Sequence, residues 1–215
     1  MPEVYYTNIV GDNGEFLNSV RTDVVYVNGA CRGHAKNYQP RHAGLGIYLG
    51  ENDIRNKSIY LGNADYTNQY VELMAVYESL KWISQLWALF PNVKHTIRTD
   101  SKYAFKSLTK WFHKWQRNGW RNSHGMQVPN RRLINDCLKH MNDINKKYAT
   151  MCYGDIEIQL IDNEEDQLSV DGNKHAYELV QQAIDDSIES DEEFEEDMYF
   201  DSSSDEDSDS HRYSY

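Results

Sequence analysis

Two acidic side chains stand at positions where carboxylates commonly do chemistry. Asp100 directly follows the predicted strand 95–99 and precedes a predicted helix, which is the strand end where open α/β sheets bind ligands. Glu72 falls in the first turns of another predicted helix, among apolar neighbours, where an unpaired carboxylate is costly to desolvate. Each also fits a structural role, with Asp100 as a helix N-cap and Glu72 as a surface acid.

A second feature is a basic segment, residues 101–135, which contains no acidic side chain. Its basic residues number eight: Lys102, Lys106, Lys110, Lys114, Arg117, Arg121, Arg131 and Arg132. The four lysines recur every four residues, which lines them along one face of a helix. The same segment contains three tryptophans, Trp111, Trp115 and Trp120. Lysines neutralise phosphates and aromatic faces pack on bases, so the segment favours nucleic-acid binding. An amphipathic helix with core tryptophans and solvated lysines is the structural alternative.

The elements that must position these residues follow the order β-β-β-α-β-α-α-β-α. The predicted strands are 24–27, 43–49, 54–61, 95–99 and 156–160, and the predicted helices are 67–89, one from 101, 130–147 and 173–187. Short links join the first three strands, whereas helices precede the last two. The order predicts an α/β fold with a five-stranded mixed sheet, in which three antiparallel strands precede two reached by crossovers.

Five motifs resemble the type 1 ribonuclease H family in their order and approximate spacing. They are Val25–Gly29, Thr67–Glu72, Thr99–Ser101, Trp111–Arg121 and Gly172–Tyr177. The resemblance covers about residues 24–184, and the basic segment is similar to that family's basic protrusion, or handle. It implies a ribonuclease H-like fold, in agreement with the strand and helix order, and cleavage of the RNA strand of RNA/DNA hybrids.

The chemistry of the resembled family needs four acids, from the first strand, the first helix, the fourth strand and the last helix. They hold two divalent ions that activate water and stabilise the leaving oxygen. Only Glu72 and Asp100 match, as the implied catalytic residues and metal ligands, whereas Asn28 and Tyr177 stand where the family has Asp. Both replacements are neutral near pH 7, so Mg²⁺ or Mn²⁺ is expected to bind weakly and hydrolysis to be impaired or absent.

The resemblance and the basic segment together predict the residues that contact nucleic acid. They are Asn68, Gln69, Lys106, Lys110, Trp111, Lys114, Trp115, Arg117, Trp120 and Arg121. The predicted function is engagement of RNA/DNA hybrid or double-stranded nucleic acid with doubtful hydrolysis. One alternative is an active Mg²⁺-dependent endonuclease, and another is an interaction protein that binds basic proteins through an acidic tail.

Charge is distributed unevenly along the 215 residues. The chain carries 22 Lys and Arg against 34 Asp and Glu, a formal net charge of −12. Residues 185–215 hold 14 acids and one arginine, or −13, which leaves +1 for residues 1–184. We therefore predict an N-terminal extension over 1–22, with a hairpin as one form it could take, a ribonuclease H-like domain over 23–187, and a disordered acidic tail over 188–215.

Other classes of protein are excluded by composition. No run of eighteen apolar residues exists, so no membrane span is predicted, and the N-terminus lacks the pattern of a signal peptide. The three cysteines are far apart and form no CxxC, which argues against a disulfide framework and a thiolate zinc site. We expect a reduced, intracellular monomer in the nucleus or cytoplasm that is not secreted.

Overall fold

The chain folds around one mixed β-sheet. In this computed structural model the structure describes residues 5–10, 16–33, 41–86, 93–161 and 167–203. The strands are β1 Tyr5–Val10, β2 Phe16–Arg32, β3 His42–Tyr48, β4 Lys57–Asn63, β5 Val93–Thr99 and β6 Glu157–Leu160. The helices are α1 Asn68–Leu86, α2 Lys102–Lys106, α3 Phe112–Arg117, α4 Arg131–Ala149 and α5 Gln167–Ser203, and a π-helical turn, Ser107–Trp111, joins α2 to α3.

The sheet topology confirms the predicted fold class. The strand order is β4-β3-β2-β5-β6, with antiparallel pairing among β2, β3 and β4 and parallel pairing of β2 with β5 and of β5 with β6. A sixth strand, β1, pairs antiparallel with the first half of β2. The strand predicted over 24–27 is therefore part of β2, which begins at Phe16, and residues 16–22 continue directly into this central strand.

The start of the predicted third strand is also wrong, for an electrostatic reason. The third strand was expected from Ile54, but β4 begins at Lys57. The Arg55 guanidinium bonds both Asp53 and Asp23, so it holds residues 53–55 in a turn.

Two glycines bring helices onto opposite faces of the sheet beside the same strand position. A Cβ at Gly29 in β2 would lie 2.6 Å from the carbonyl oxygen of Val71 in α1. A Cβ at Gly46 in β3 would lie 2.0 Å from the carbonyl oxygen of Ala176 in α5. Because Asn28 pairs with Gly46 and precedes Gly29, both helices reach the sheet where Asn28 lies.

The core is apolar on both central strands. Val25, Val27 and Ile97 are fully buried, and α1 and α4 pack over the cluster that they form. Among the described helices, none is long and apolar enough to cross a membrane.

The last helix is longer at both ends than the sequence predicted. It begins at Gln167 rather than near residue 173, where Gln167 Nε2 donates to Asp171 Oδ1 at 2.8 Å one turn later. It continues to Ser203, so residues 188–203 are helical where disorder was expected. Glutamate is a good helix former, which favours the extension over this Glu-rich stretch. Residues 204–215 of the predicted tail lie outside the described residues.

Candidate active site and nucleic-acid interface

Three polar side chains from distant parts of the chain meet at one end of the sheet. Asn28 Nδ2 in β2 donates to Asp100 Oδ2 at 3.4 Å and to Asn173 Oδ1 at 3.3 Å. Asn173 Nδ2 in α5 donates to the same Asp100 oxygen at 2.9 Å. One carboxylate oxygen thus accepts two amide hydrogen bonds.

Local structure positions Asp100 without making it a helix cap. Ser101 is the N-cap of α2, and its Oγ accepts from the amide of Ala104 at 3.1 Å. The Ser101 amide in turn donates to Thr99 Oγ1 at 3.1 Å. Because Ser101 supplies the cap, the carboxylate of Asp100 is left to point toward Asn28 and Asn173.

Glu72 joins the same group from α1, and it is not the surface acid of the structural alternative. Its side chain is part-buried and Oε2 accepts a hydrogen bond from Ser101 Oγ. Burial raises the pKa of the Glu72 carboxyl, and the negative charge of Asp100 raises it further. The hydrogen bond from Ser101 lowers this pKa, but the net change is a rise. We call Asn28, Glu72, Asp100, Ser101 and Asn173 the polar cluster.

Tyr177 occupies the fourth predicted position, one helical turn after Asn173 on α5. Its side chain is 46% exposed, and no hydrogen bond to a described residue fixes its hydroxyl. Sequence reasoning quoted Asn173 only as part of a motif and did not select it as a site residue. The available signal was its spacing of four residues before Tyr177, which places both on one helical face.

The donor set of the polar cluster is poor for a pair of divalent ions. Within the described ranges, no group of three or more His, Cys, Asp or Glu side chains is placed to hold a metal. Mg²⁺ prefers carboxylate oxygens and water, and only Glu72 and Asp100 supply carboxylates here. The amide groups of Asn28 and Asn173 present N–H donors to Asp100, where a metal would need oxygen ligands.

The two residues predicted to contact a duplex groove lie at the start of α1. Asn68 Oδ1 accepts from the backbone amide of Cys31 at 3.2 Å. This bond uses the acceptor end of the Asn68 amide and turns its NH₂ group outward. Gln69 is exposed beside it, so both side chains can donate to a ligand that lies over this edge.

The basic segment forms a protrusion built from α2, the π-helical turn and α3. Among its side chains Lys110, Lys114, Arg117 and Arg121 are exposed, and none forms an ion pair with a described carboxylate. The four lysines were predicted to line one face of a regular helix. The π-helical turn shifts them relative to that face, because it inserts extra residues into the helical repeat. The contacts across it have a spacing of five: Lys106 lies 5.8 Å from the Trp111 ring and Lys110 lies 5.5 Å from the Phe105 ring.

The three tryptophans of this protrusion differ in burial. Trp111 is 39% exposed and lies 5.7 Å from the partly buried Trp115, ring centre to ring centre. Trp120 is 6% exposed, stacks under the guanidinium of Arg131 and packs in the core cluster. Because it is buried, Trp120 does not fit the predicted contact with nucleic acid. At this position the alternative holds, in which the tryptophan belongs to the core.

Solved structures identify the fold first. The foamy viral protease-reverse transcriptase in complex with RNA/DNA hybrid matches with a TM-score of 0.56 at 22% identity, over 75% of this chain and 20% of that chain. The solution structure of the PFV RNase H domain matches with a TM-score of 0.56 at 22% identity, over 75% of this chain and 93% of that chain. At that identity the matches show the fold alone, which is an RNase H-like fold.

Sequence comparisons then identify the family. A model of the RNase H family matches residues 21–185, and the chain belongs to this family. A ribonuclease H of Legionella pneumophila is 33% identical over 140 residues, which is 64% of this chain and 90% of the relative. One of Schizosaccharomyces pombe is 36% identical over 122 residues, which is 57% of this chain, but this chain spans only 42% of that relative's length.

Proposed function

We propose that this protein binds RNA/DNA hybrid or another duplex nucleic acid and hydrolyses the RNA strand poorly or not at all. The observation that carries this proposal is the double amide donation to Asp100. Asn28 and Asn173 satisfy with N–H groups the carboxylate oxygen that a hydrolytic metal would need. Members of this family generally depend on divalent metals, so a site without that donor set lacks the groups that would hold the ions.

Charge strengthens the argument against tight metal binding. Two divalent ions bring four positive charges, and two carboxylates offset at most two of them. The raised pKa of Glu72 weakens even that compensation, because part of the Glu72 population is neutral at a pH where an ordinary glutamate is ionised. We propose that Mg²⁺ or Mn²⁺ binds weakly at Glu72 and Asp100.

Binding depends on different residues, and these are intact. The outward amides of Asn68 and Gln69 suit the shallow minor groove of an A-form-like duplex, which proteins recognise by shape and by 2′-OH contacts. The exposed cations of the basic protrusion suit the phosphates beside it. The related foamy viral enzyme was solved with an RNA/DNA hybrid, which supports a ligand of this class.

The test measures binding and cleavage on the same hybrid. In EDTA the wild-type protein is expected to bind a fluorescent RNA/DNA hybrid with unchanged affinity. In Mg²⁺ or Mn²⁺ it is expected to leave the RNA strand uncut under conditions where a four-acid ribonuclease H cleaves it. Asp100→Asn controls for a contaminating nuclease. Robust cleavage that disappears in Asp100→Asn would show an active endonuclease and overturn the proposal.

A second candidate function comes from the acidic end of α5. The helix spans 37 residues, or about 55 Å at 1.5 Å per residue, and its last part is rich in acids. A stretch of helix that carries only negative charge suits a basic protein partner, with the rest of the fold as a scaffold. A chain ending at Ser187 would lose binding to a basic peptide and keep hybrid binding if this second function exists. Unchanged binding to the basic peptide in the shortened chain would remove it.

A further inference from the structure

Three aromatic rings lie side by side where α5 packs on the sheet. Tyr26 in β2 pairs with Tyr48 in β3, and their ring centres are 6.4 Å apart. The centre of the His175 ring, from α5, lies 4.9 Å from that of Tyr48, and the two rings are inclined by 31°. We call Tyr26, Tyr48 and His175 the aromatic row. It lies on the same face of the sheet as the side chain of Asn28, since Tyr26 precedes Asn28 by two residues in β2.

The aromatic row forms because α5 comes unusually close to the sheet. A Cβ at Gly172 would lie 2.5 Å from the ring of Tyr26, so only glycine allows this approach. The row is not sealed by the helix: Tyr26 and Tyr48 are partly buried, and the His175 side chain is 46% exposed. Part of its surface is therefore accessible to a ligand from solvent.

Acidic side chains surround the aromatic row from two elements. Glu178 Oε2 lies 2.9 Å from His175 Nδ1, and Asp171 is one helical turn before His175 on the same face of α5. Glu51 lies in the turn after β3, three residues beyond Tyr48. Burial raises the pKa of the Tyr48 phenol, and the negative charges of these three acids raise it further. The tyrosine therefore lies in a field of negative charge.

Two cations near the aromatic row already have partners. Arg98 in β5 pairs with Tyr26 across the sheet and donates to Gln159 Oε1 at 3.0 Å. Lys174 Nζ lies 3.7 Å from Glu178 Oε1. These two cations face three acids, so the net charge of the groups beside the rings is negative.

We propose that the aromatic row binds an arginine side chain of a basic protein partner. A guanidinium stacks on aromatic faces, and its planar fork of donors matches a carboxylate, so the rings and the acids fit two parts of one side chain. Glu51 and Asp171 form no ion pair with a described residue, and Asp171 accepts a hydrogen bond from the neutral Gln167. Both carboxylates can therefore pair with the guanidinium. This surface is separate from the acidic end of α5 and independent of hybrid binding.

The experiment titrates the full chain with a capped Gly-Arg-Gly peptide and follows the ring resonances of Tyr48 and His175 by NMR. Both should shift with saturation. A peptide with citrulline, which has the shape of arginine without its charge, should not bind, and a peptide with lysine should bind more weakly because it lacks the planar fork. Equal binding of the citrulline or the lysine peptide would overturn the assignment to arginine.

Two variants test the two parts of the site. Tyr48→Leu removes one ring and should lower the affinity for the arginine peptide about two- to fivefold, the size of a cation–π contact at an exposed site. Glu178→Gln removes one charge and should lower the affinity at low salt, with an effect that fades at high salt. Asp155→Asn is the control, since it removes an exposed acid in the segment before β6 and should leave the affinity unchanged.

Circular dichroism confirms that each variant is folded, and Glu178→Gln changes only an exposed side chain, so the test does not depend on Tyr48→Leu alone. Unchanged affinity in Glu178→Gln, or an equal decrease in Asp155→Asn, would overturn the proposal. Peptide-induced shifts confined to residues 189–203 would assign the binding to the acidic end of α5 and would also overturn it. In each of these cases hybrid binding by the protein is unaffected.

Discussion

Replacing Asn28 and Tyr177 by Asp tests whether the family's four acidic positions converge in this chain. The double variant should be less stable than the wild type in EDTA and should gain affinity for Mg²⁺ or Mn²⁺. The reason lies in the polar cluster, where Asn28 donates to Asp100 and Asn173. An aspartate at position 28 replaces that donor by a negatively charged acceptor.

The size of the effect follows from the distance between the two side chains. Asn28 Nδ2 lies 3.4 Å from Asp100 Oδ2. Two unit charges at about this separation repel by about 1 kcal/mol in water and about 5 kcal/mol at an effective dielectric constant of 20. Asp100 is exposed, so the lower half of that range applies. At about 2–4 °C per kcal/mol for a domain of this size, Tm in EDTA should fall by several degrees.

Metal should reverse this destabilisation. A ligand that binds only the folded state stabilises it by about 2.7 kcal/mol at one hundred times its Kd, which is of the same size as the repulsion. Thermal denaturation in EDTA and in Mg²⁺ measures both effects, and isothermal titration calorimetry measures the affinity. The control for the change at position 28 is Asn142→Asp, which adds the same single charge at an exposed position on α4. If calorimetry shows no gain in affinity for either ion and Tm does not fall in EDTA, the four positions do not converge and the reasoning is wrong.

Three further predictions concern the neighbouring residues. Folding raises the pKa of Glu72, so the wild-type protein loses stability as pH rises through that folded pKa. Glu72→Gln removes this loss and should raise the free energy of unfolding at pH 8. The gain should vanish below about pH 4.3, the ordinary pKa of glutamate, where the wild-type carboxyl is protonated in both states. Replacing Lys106, Lys110 and Lys114 by Ala should weaken duplex binding and lower the salt slope by about 0.9 for each phosphate that these lysines neutralise. Gly29→Ala should cost about 1–3 kcal/mol of stability, because its Cβ would meet backbone of α1.

Two of these have a matched control, and each has a contradicting result. Glu189→Gln removes an exposed acid on α5 and should leave the free energy of unfolding with its wild-type pH dependence. The same wild-type pH dependence in Glu72→Gln would contradict the raised pKa of Glu72. An unchanged salt slope in the triple lysine variant would mean that those lysines are only a solvated face. Gly154→Ala is the control for Gly29, since the nearest atom to its Cβ would be 3.8 Å away. Equal stability of the two alanine variants would contradict the close contact.

Much of the fold and part of the site could be predicted from local sequence. Apolar runs and helical spacing placed the strands around Val25 and Ile97, the helix that carries Glu72 and the helix that follows Asp100, because short-range patterns record which face of an element is buried. Motif spacing identified the ribonuclease H family, and the family comparison confirmed it. The neutral residues Asn28 and Tyr177 also followed directly from the motifs.

Other features required the packed molecule. Trp120 reads in sequence like its neighbours in the protrusion, but tertiary packing buries it under Arg131. The π-helical turn Ser107–Trp111 shifts the lysine face, and composition does not reveal such a turn because it depends on how the helix packs. Residues 188–203 are helical in continuation of a packed helix, whereas their acidic composition alone indicated disorder.

The amino-acid sequence by itself determined which chemical groups are available at the site: two carboxylates instead of four, and an amide and a phenol in place of the others. Only the tertiary structure decided how those groups are used. Asn28 and Asn173 are 145 residues apart, and they meet over Asp100 because α5 packs against β3 at Gly46. Hydrogen bonds between such distant side chains depend on the angles and distances of packed helices and strands, which no local pattern encodes.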